Sequence, residues 1–323
     1  MLGTPCISQY EIYPISGYFS KFGAHQTMLM DKERVEGFKK ILRQKIIPGK
    51  SIVMDIGTGT GILSLFAAQL GAKKVYAVEM NTIANLAKKI IRINGYSEVI
   101  EVIRAHSSKI HLKEKVDIIV SETIGLAGFE ENTADILKNA KRQFGHYKTT
   151  VIPERLKMYI TPCSDTTIYD KILKFWKKKQ YGFNYLPICN LAQHNIYGRM
   201  KLDNDQFLSE PKIVEDLKLG DDSLSGEKHN IEFIIQRDGM LTGLAGWFEC
   251  ELAENTVLSS LDKRNHWQQI FFPLPQPQKI NKGYLLDVDS SIHLYKEQVS
   301  FSWRISNAER EQTTDQIITY SQS

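Results

Sequence analysis

The stretch from Ser51 to Glu79, SIVMDIGTGTGILSLFAAQLGAKKVYAVE, decides how the rest of the chain is read. Ile52, Val53, Met54 and Ile56 form an apolar strand, Gly57, Gly59 and Gly61 a turn, and Ile62 to Leu70 a helix that Gly71 closes. Lys74 to Glu79 follows as a second strand, and a helical crossover of this length lets it lie parallel to the first. Glycines at the turn allow a ligand close to the backbone, and an acidic residue ending the second strand can accept hydrogen bonds from both hydroxyls of a ribose. A nucleoside cofactor is the first expectation.

Spacing narrows the choice. A pyrophosphate-binding GxGxxG pattern starts at neither Gly57 nor Gly59, because Ile62 and Ser64 stand where its last glycine would be. What stands instead, Asp55-Ile56-Gly57-Thr58-Gly59-Thr60-Gly61 with Glu79 beyond, resembles the first motif of the class I S-adenosylmethionine-dependent methyltransferases. The competing reading is a plain structural turn in a parallel sheet.

The chain has 323 residues, enough for two domains, and its 42% apolar and 24% charged content is that of a globular protein. Its net charge of +4 is too mild to point to nucleic acid. Cys6, Cys163, Cys189 and Cys250 form no CxxC pair, which favours reduced thiols in a cytoplasmic setting, with no metal site. The sequence holds no apolar run long enough to span a bilayer and no signal-peptide pattern at its start, so no membrane role is expected.

Upstream of the glycine turn, Tyr10, Tyr13, Tyr18, Phe19 and Phe22 precede Gly23-Ala24-His25-Gln26-Thr27-Met28, a pattern that suits either a lid or a first helix packed on the core. Asp31 can cap the following helix, in which Val35, Phe38, Ile41 and Leu42 share a face and Arg34 leaves from the first turn. Downstream come a helix over Asn81 to Asn94, a strand over Val99 to Ile103 and an apolar strand over Val116 to Val120. Ligands of such sheets lie beyond the carboxyl ends of the strands, so the loop leaving Val120 is where chemistry is expected. That loop, Ser121-Glu122-Thr123-Ile124-Gly125-Leu126-Ala127-Gly128-Phe129-Glu130-Glu131, should turn tightly at its glycines and bring Glu122 and Glu131 face to face. Paired carboxylates can exchange protons, hold a metal or clasp a cation; without metal-spaced partners, the cation is favoured.

Four motifs in order now identify a resemblance covering nearly the whole chain. Phe22 to Arg34, Asp55 to Gly61 with Glu79, Glu122 with Glu131, and Asn265-His266-Trp267 are similar to the pre-core helix, cofactor motif, double-glutamate loop and Thr-His-Trp loop of the protein arginine methyltransferase family. The resemblance implies a Rossmann-like class I methyltransferase domain followed by an antiparallel β-barrel with a helical dimerisation arm. It divides the chain into a lid with pre-core helices (1–49), an S-adenosylmethionine domain (50–152) and a barrel (153–323) joined at Ile152-Pro153. The aromatic and lysine-rich segment at about 171–200, with Phe175-Trp176 and Tyr181-Gly182-Phe183, resembles the arm and implies a homodimer.

The resemblance also implies roles. Glu122, Glu131, His266 and Asp31 would be catalytic; His25, Met28, Arg34, Asp55, Gly57, Thr58, Gly59, Gly61, Glu79, Met80, Ser107, Ser108 and Glu122 would bind the cofactor. Tyr18, Phe22, Met28, Glu122, Glu131, His266 and Trp267 would meet the substrate, an arginine-containing protein or peptide or free arginine. The chain departs from the family at Thr123, Ile124 and Leu126, where Trp, Met and Tyr are common, and at Thr133, where Met is common. Product type, from mono- to symmetric or asymmetric dimethyl, is left open by these changes.

The second half supports the division independently. Val299, Phe301, Trp303 and Ile305 alternate with polar residues, and Leu244, Gly246, Phe248, Cys250 and Leu252 repeat the pattern, as half-buried antiparallel strands do.

Overall fold

The computed structural model describes residues 22–253, 255–262, 265–295, 298–307 and 316–319. Tyr18 and the rest of the N-terminal lid at 1–21 lie outside the described residues.

Helix α1 (Phe22–Met30) leads into α2 (Lys32–Lys45), whose first turn is capped by Asp31 accepting the Arg34 N–H at 3.1 Å. Arg34, Phe38, Ile41 and Leu42 form its buried face. On another side of α2, Gly37 lets the helix rest closely on Leu252 and Leu258, so the helix bridges the two halves of the molecule.

A five-stranded sheet follows, built from β1 (Ile52–Ile56), β2 (Lys74–Glu79), β3 (Ile100–Arg104), β4 (Val116–Ser121) and β5 (Gly145–Ile152) in the order β3-β2-β1-β4-β5, all parallel. Helices α3 (Ile62–Gln69), α4 (Ile83–Ile93) and α5 (Thr133–Phe144) connect them. Strand β1 runs down the middle, which explains its near-complete burial and its lack of alternation. Strand β5 escapes the sequence reading because its first half, Gly145 to Lys148, carries no apolar run and reaches solvent.

Past Ile152-Pro153 the pairing becomes antiparallel. The strands are β6 (Arg155–Cys163), β7 (Tyr197–Met200), β8 (Lys212–Lys218), β9 (His229–Ile234), β10 (Gly239–Ala253), β11 (Thr256–Ser259), β12 (Gln269–Ile280), β13 (Leu285–Tyr295), β14 (Gln298–Asn307) and β15 (Gln316–Thr319). One sheet runs β7-β12-β10-β6-β8 with β11 on β10, and the other β15-β14-β13-β9. The expected barrel is thus present as two antiparallel sheets; β8 approaches β9 and β13, without strand pairing across that seam among the described residues. Among the described residues, no helix is long and apolar enough to cross a membrane.

Leu244, Phe248, Cys250 and Leu252 of β10 face the main core as the alternation requires. The intervening Ala245 and Trp247 are buried as well, in a second core with Cys163, Leu202, Phe207 and Phe271 at the base of the arm. Trp247 is sandwiched there, its ring stacked 5.7 Å from Tyr159 and 5.4 Å from Phe207. Helical turns over Thr166–Tyr169, Asp170–Lys174 and Phe175–Lys177, then Leu186–Ala192, form the arm itself, which starts a few residues before the expected segment. Truncating Trp247 to Ala should therefore lower stability by about 3–5 kcal/mol, read from the urea midpoint.

Candidate functional site

The carboxyl ends of β1, β2 and β4 meet at one side of the parallel sheet. Gly57, Gly59 and Gly61 all have positive φ, at 72°, 55° and 92°, so only glycine holds this turn without strain. A Cβ on Gly57 would lie 2.8 Å from the Thr123 methyl, and one on Gly59 would lie 3.1 Å from the His25 ring. The turn is therefore walled by Thr123, from the loop after β4, and by α1, while Gly57 stays exposed.

Asp55 is buried and turned away from the mouth of the turn. Its Oδ2 accepts hydrogen bonds from Thr58 Oγ1 at 2.6 Å, Ser64 N at 3.0 Å and Ser64 Oγ at 2.7 Å. Burial pushes this carboxyl up to about 6 despite those bonds. Asp55 and its partner Thr58 thus brace the turn from within. Glu79 is the carboxylate on the open side: its Oε2 accepts the Gly59 N–H at 3.1 Å and its Oε1 the Asn81 N–H at 2.8 Å. Met80, next in sequence, is well exposed, and Ser107 opens a short helical turn beyond β3, whose Arg104 pairs in register with Glu79. Ser108 is exposed and bonded to the His106 ring at 2.7 Å.

Arg34, buried on α2, forms an ion pair with Glu122 and donates to the Met28 carbonyl at 3.0 Å. Its Nε is buried without a hydrogen-bond partner. Asp31, three residues before it, accepts the His266 backbone N–H at 3.0 Å and shares a hydrogen bond with His266 Nδ1 at 2.7 Å. Burial would raise Asp31, but the hydrogen bonds from His266 and Arg34 outweigh it and hold the carboxyl below its ordinary value. An ionised Asp31 can only accept, which puts the proton of a neutral His266 on Nδ1 and leaves Nε2 as the basic atom.

Between the two site glutamates the chain makes two successive turns, Gly125 to Gly128 and Phe129 to Asn132, closed by hydrogen bonds of 3.0 and 2.9 Å. Glu131 makes no hydrogen bond or ion pair among the described residues. It is half-buried, and desolvation together with the charges of Glu122, Glu130 and Glu79 raises its proton affinity well above that of an ordinary carboxylate. The two acids expected to act together thus lie within reach of each other's field.

Other expected site residues fall elsewhere. Trp267 is buried; its Nε1 donates to the Ile124 carbonyl at 3.0 Å and its ring packs edge-on against Phe248, so it props the loop from inside. Phe22 is exposed at the start of α1, and Met28 enters the site through its backbone carbonyl. Sequence reading also gave no role to Glu130, which is buried beneath the loop, or to Thr133, whose hydroxyl bonds the Thr123 carbonyl. The signal in the sequence was the pair of adjacent acids, Glu130 and Glu131, of which only Glu131 was singled out.

Comparison with known proteins agrees with this fold. Residues 21–147 match the ribosomal protein L11 methyltransferase (PrmA) family and residues 154–308 the arginine methyltransferase oligomerization subdomain. Protein arginine N-methyltransferase 1 of Saccharomyces cerevisiae is 30% identical over 287 residues, covering 86% of this chain and 82% of that protein. Protein arginine N-methyltransferase 6 of Danio rerio is 36% identical over 211 residues, covering 64% and 58%. Among solved structures, the Trypanosoma brucei PRMT1 enzyme-prozyme heterotetrameric complex with AdoHcy superposes with a TM-score of 0.83 at 22% identity, covering 94% of this chain and 99% of that one. The Arabidopsis thaliana protein arginine methyltransferase 10, in an open conformation, superposes with a TM-score of 0.76 at 22% identity, covering 93% and 97%. The chain belongs to the protein arginine N-methyltransferase family.

Proposed function

We propose that the chain transfers the methyl group of S-adenosylmethionine to a guanidinium nitrogen of arginine, in a protein, in a peptide or as the free amino acid, and that Glu122 and Glu131 together grip the guanidinium. The observation that carries this reading is Glu131: a half-buried carboxylate with no ion pair among the described residues, in the field of a second carboxylate whose partner is Arg34. Such a pair is costly to bury unless a cation arrives.

The residues fit the cofactor. Glu79, on the open side of the bare glycine turn, would hold the ribose hydroxyls, Met80, Ser107 and Ser108 would border the adenine, and Arg34 would meet the cofactor's carboxylate. Bound there, the cofactor supplies a methyl group on a sulfonium, open to attack by a nucleophile.

A guanidinium stays protonated at neutral pH, and its nitrogens are poor nucleophiles. Carboxylates on its far nitrogens draw the positive charge toward themselves and leave more of the lone pair on the nitrogen that attacks. The attacking nitrogen must then lose a proton. Glu131, with its raised proton affinity, and Nε2 of His266 are the basic atoms this chain offers. The aromatic arm, with Phe175, Tyr181, Phe183 and Leu191 exposed, would cover a second copy of the chain to form a homodimer. Cys163, Cys189 and Cys250 are buried free thiols, as suits a reducing cytoplasm.

The grip is tested by turnover of labelled S-adenosylmethionine with free arginine and arginine peptides. Glu122→Gln and Glu131→Gln should each lose about 3–5 kcal/mol of transition-state stabilisation, roughly two to four decades in rate; wild-type turnover in both would refute it. Their stabilities should move in opposite directions. Glu131 is raised in the fold above its unfolded value, so its contribution is lost as pH rises between the two, and Glu131→Gln should be more stable than wild type at pH 8 by about 1–3 kcal/mol. Glu122→Gln strips buried Arg34 of its anion and should be less stable by about 3 kcal/mol.

The ionised form of Glu131 is the one that grips, so kcat/KM should rise with pH through its raised titration. A bound guanidinium favours that ionised form, so the acid limb of kcat should lie at lower pH than the limb of kcat/KM. Coincident limbs would count against the assignment. For the arm, sedimentation at micromolar concentration should give a dimer that Phe175→Asp with Tyr181→Asp converts to monomer.

A further inference from the structure

The loop between the two site glutamates holds a third carboxylate for which the proposed chemistry has no use. Glu130 folds back under its own turn, where Oε1 accepts the Ala127 N–H at 2.6 Å and backbone groups of Phe129 and of Glu130 itself also favour its charge. Its Oε2 is buried with no hydrogen-bond partner. That arm of the carboxylate fills the space a side chain at Gly125 would need: a Cβ there would stand 2.9 Å from Glu130 Cδ and 3.1 Å from Glu130 Cβ. Gly125 is thus required for room, because Glu130 occupies the inside of the turn.

An apolar side chain could fill the same space without burying an unpaired oxygen. A carboxylate adds two things: a grip on the Ala127 N–H, and a negative charge next in sequence to Glu131. Glu131 follows in the same Phe129 to Asn132 turn, so the seating of Glu130 constrains the backbone from which Glu131 leaves.

We infer that Glu130 is a positioning residue for the methyl transfer: by gripping the Ala127 N–H from inside the turn it holds Glu131 toward Glu122, and its charge shapes the field in which Glu131 works. The inference rests on the reading of Glu131 as a guanidinium ligand. Burial pushes Glu130 up to about 7, and its charge is among those that raise Glu131. The other charged groups around the pair are Glu122 in the same loop, Glu79 at the end of β2 and Arg34 on α2, with the Asp31 and His266 pair behind Arg34.

The test is steady-state kinetics against pH on wild type, Glu130→Gln, Glu130→Ala and Glu131→Gln, with cofactor affinity measured by calorimetry. Gln keeps the acceptor for the Ala127 N–H and removes the charge, so the acid limb of kcat/KM should move to lower pH by about half a unit or more. Ala removes the grip and should lower kcat/KM on the order of ten- to hundredfold at every pH, with cofactor affinity retained. A Glu130→Gln limb that coincides with wild type, or a Glu130→Ala enzyme with wild-type kcat/KM, overturns the inference. If the Ala variant does not fold, the Gln limb alone decides. A wild type without arginine turnover, or an active Glu131→Gln, would instead sink the reading of the site on which this inference stands.

Discussion

One carboxylate joins the three parts of this molecule. Asp31 uses one oxygen to cap α2 through the Arg34 N–H and the other to hold both the backbone and the ring of His266, which comes from the antiparallel half. The capped turn fixes Arg34, which reaches the parallel half at Glu122. A residue that is buried and ionised must be fully hydrogen-bonded to be tolerated, and Asp31 satisfies this only while the helix, the His266 loop and the sheet are in place together. Because its hydrogen bonds outweigh burial, the carboxyl stays charged and the junction does not loosen at neutral pH.

Around that junction, negative charge is concentrated beyond what the fold alone would favour. Glu79, Glu122, Glu130 and Glu131 are gathered at one end of the parallel sheet, and Arg34 is the cation paired among them. Burial raises the proton affinity of Glu130, and burial together with the neighbouring carboxylates raises that of Glu131. Two cations, a sulfonium and a guanidinium, are what the proposed reaction brings to it, so the strain in the free protein and the attraction for its substrates have one origin.

How much of this could be read beforehand followed from how local each signal is. The β1-turn-α3-β2 unit was legible because its periodicity, its glycines and its closing Glu79 all fall within one short stretch. The double-glutamate loop was legible for the same reason, as the apolar β4 ends at it. Long-range facts were not. Alternation along β10 implied one exposed face, and only the folding of the arm over Ala245 and Trp247 buries it. Trp267 looked like a mouth residue because it follows His266, yet only the position of the Ile124 carbonyl, far off in sequence, draws it inward. Asp55 begins the glycine motif, but its partners Thr58 and Ser64 lie on the inner side of the turn.

The small residues of this loop have a structural use of their own. Ser121 Oγ donates to the Ile56 carbonyl at 2.8 Å and lies 3.1 Å from Thr123 Oγ1, which lies 3.1 Å from Thr133 Oγ1. Thr133 bonds back to the Thr123 carbonyl, and the Thr123 methyl closes over Gly57. A chain of hydroxyls therefore runs from the end of β1 to the start of α5, tying the glycine turn to the loop that carries both glutamates. Side chains without a hydroxyl at 123 and 133 could not make these bonds. Hydroxyl-to-backbone bonds of this kind fix the loop at both of its ends, so the position of Glu122 relative to the glycine turn is held by hydrogen bonds rather than by the packing of large side chains.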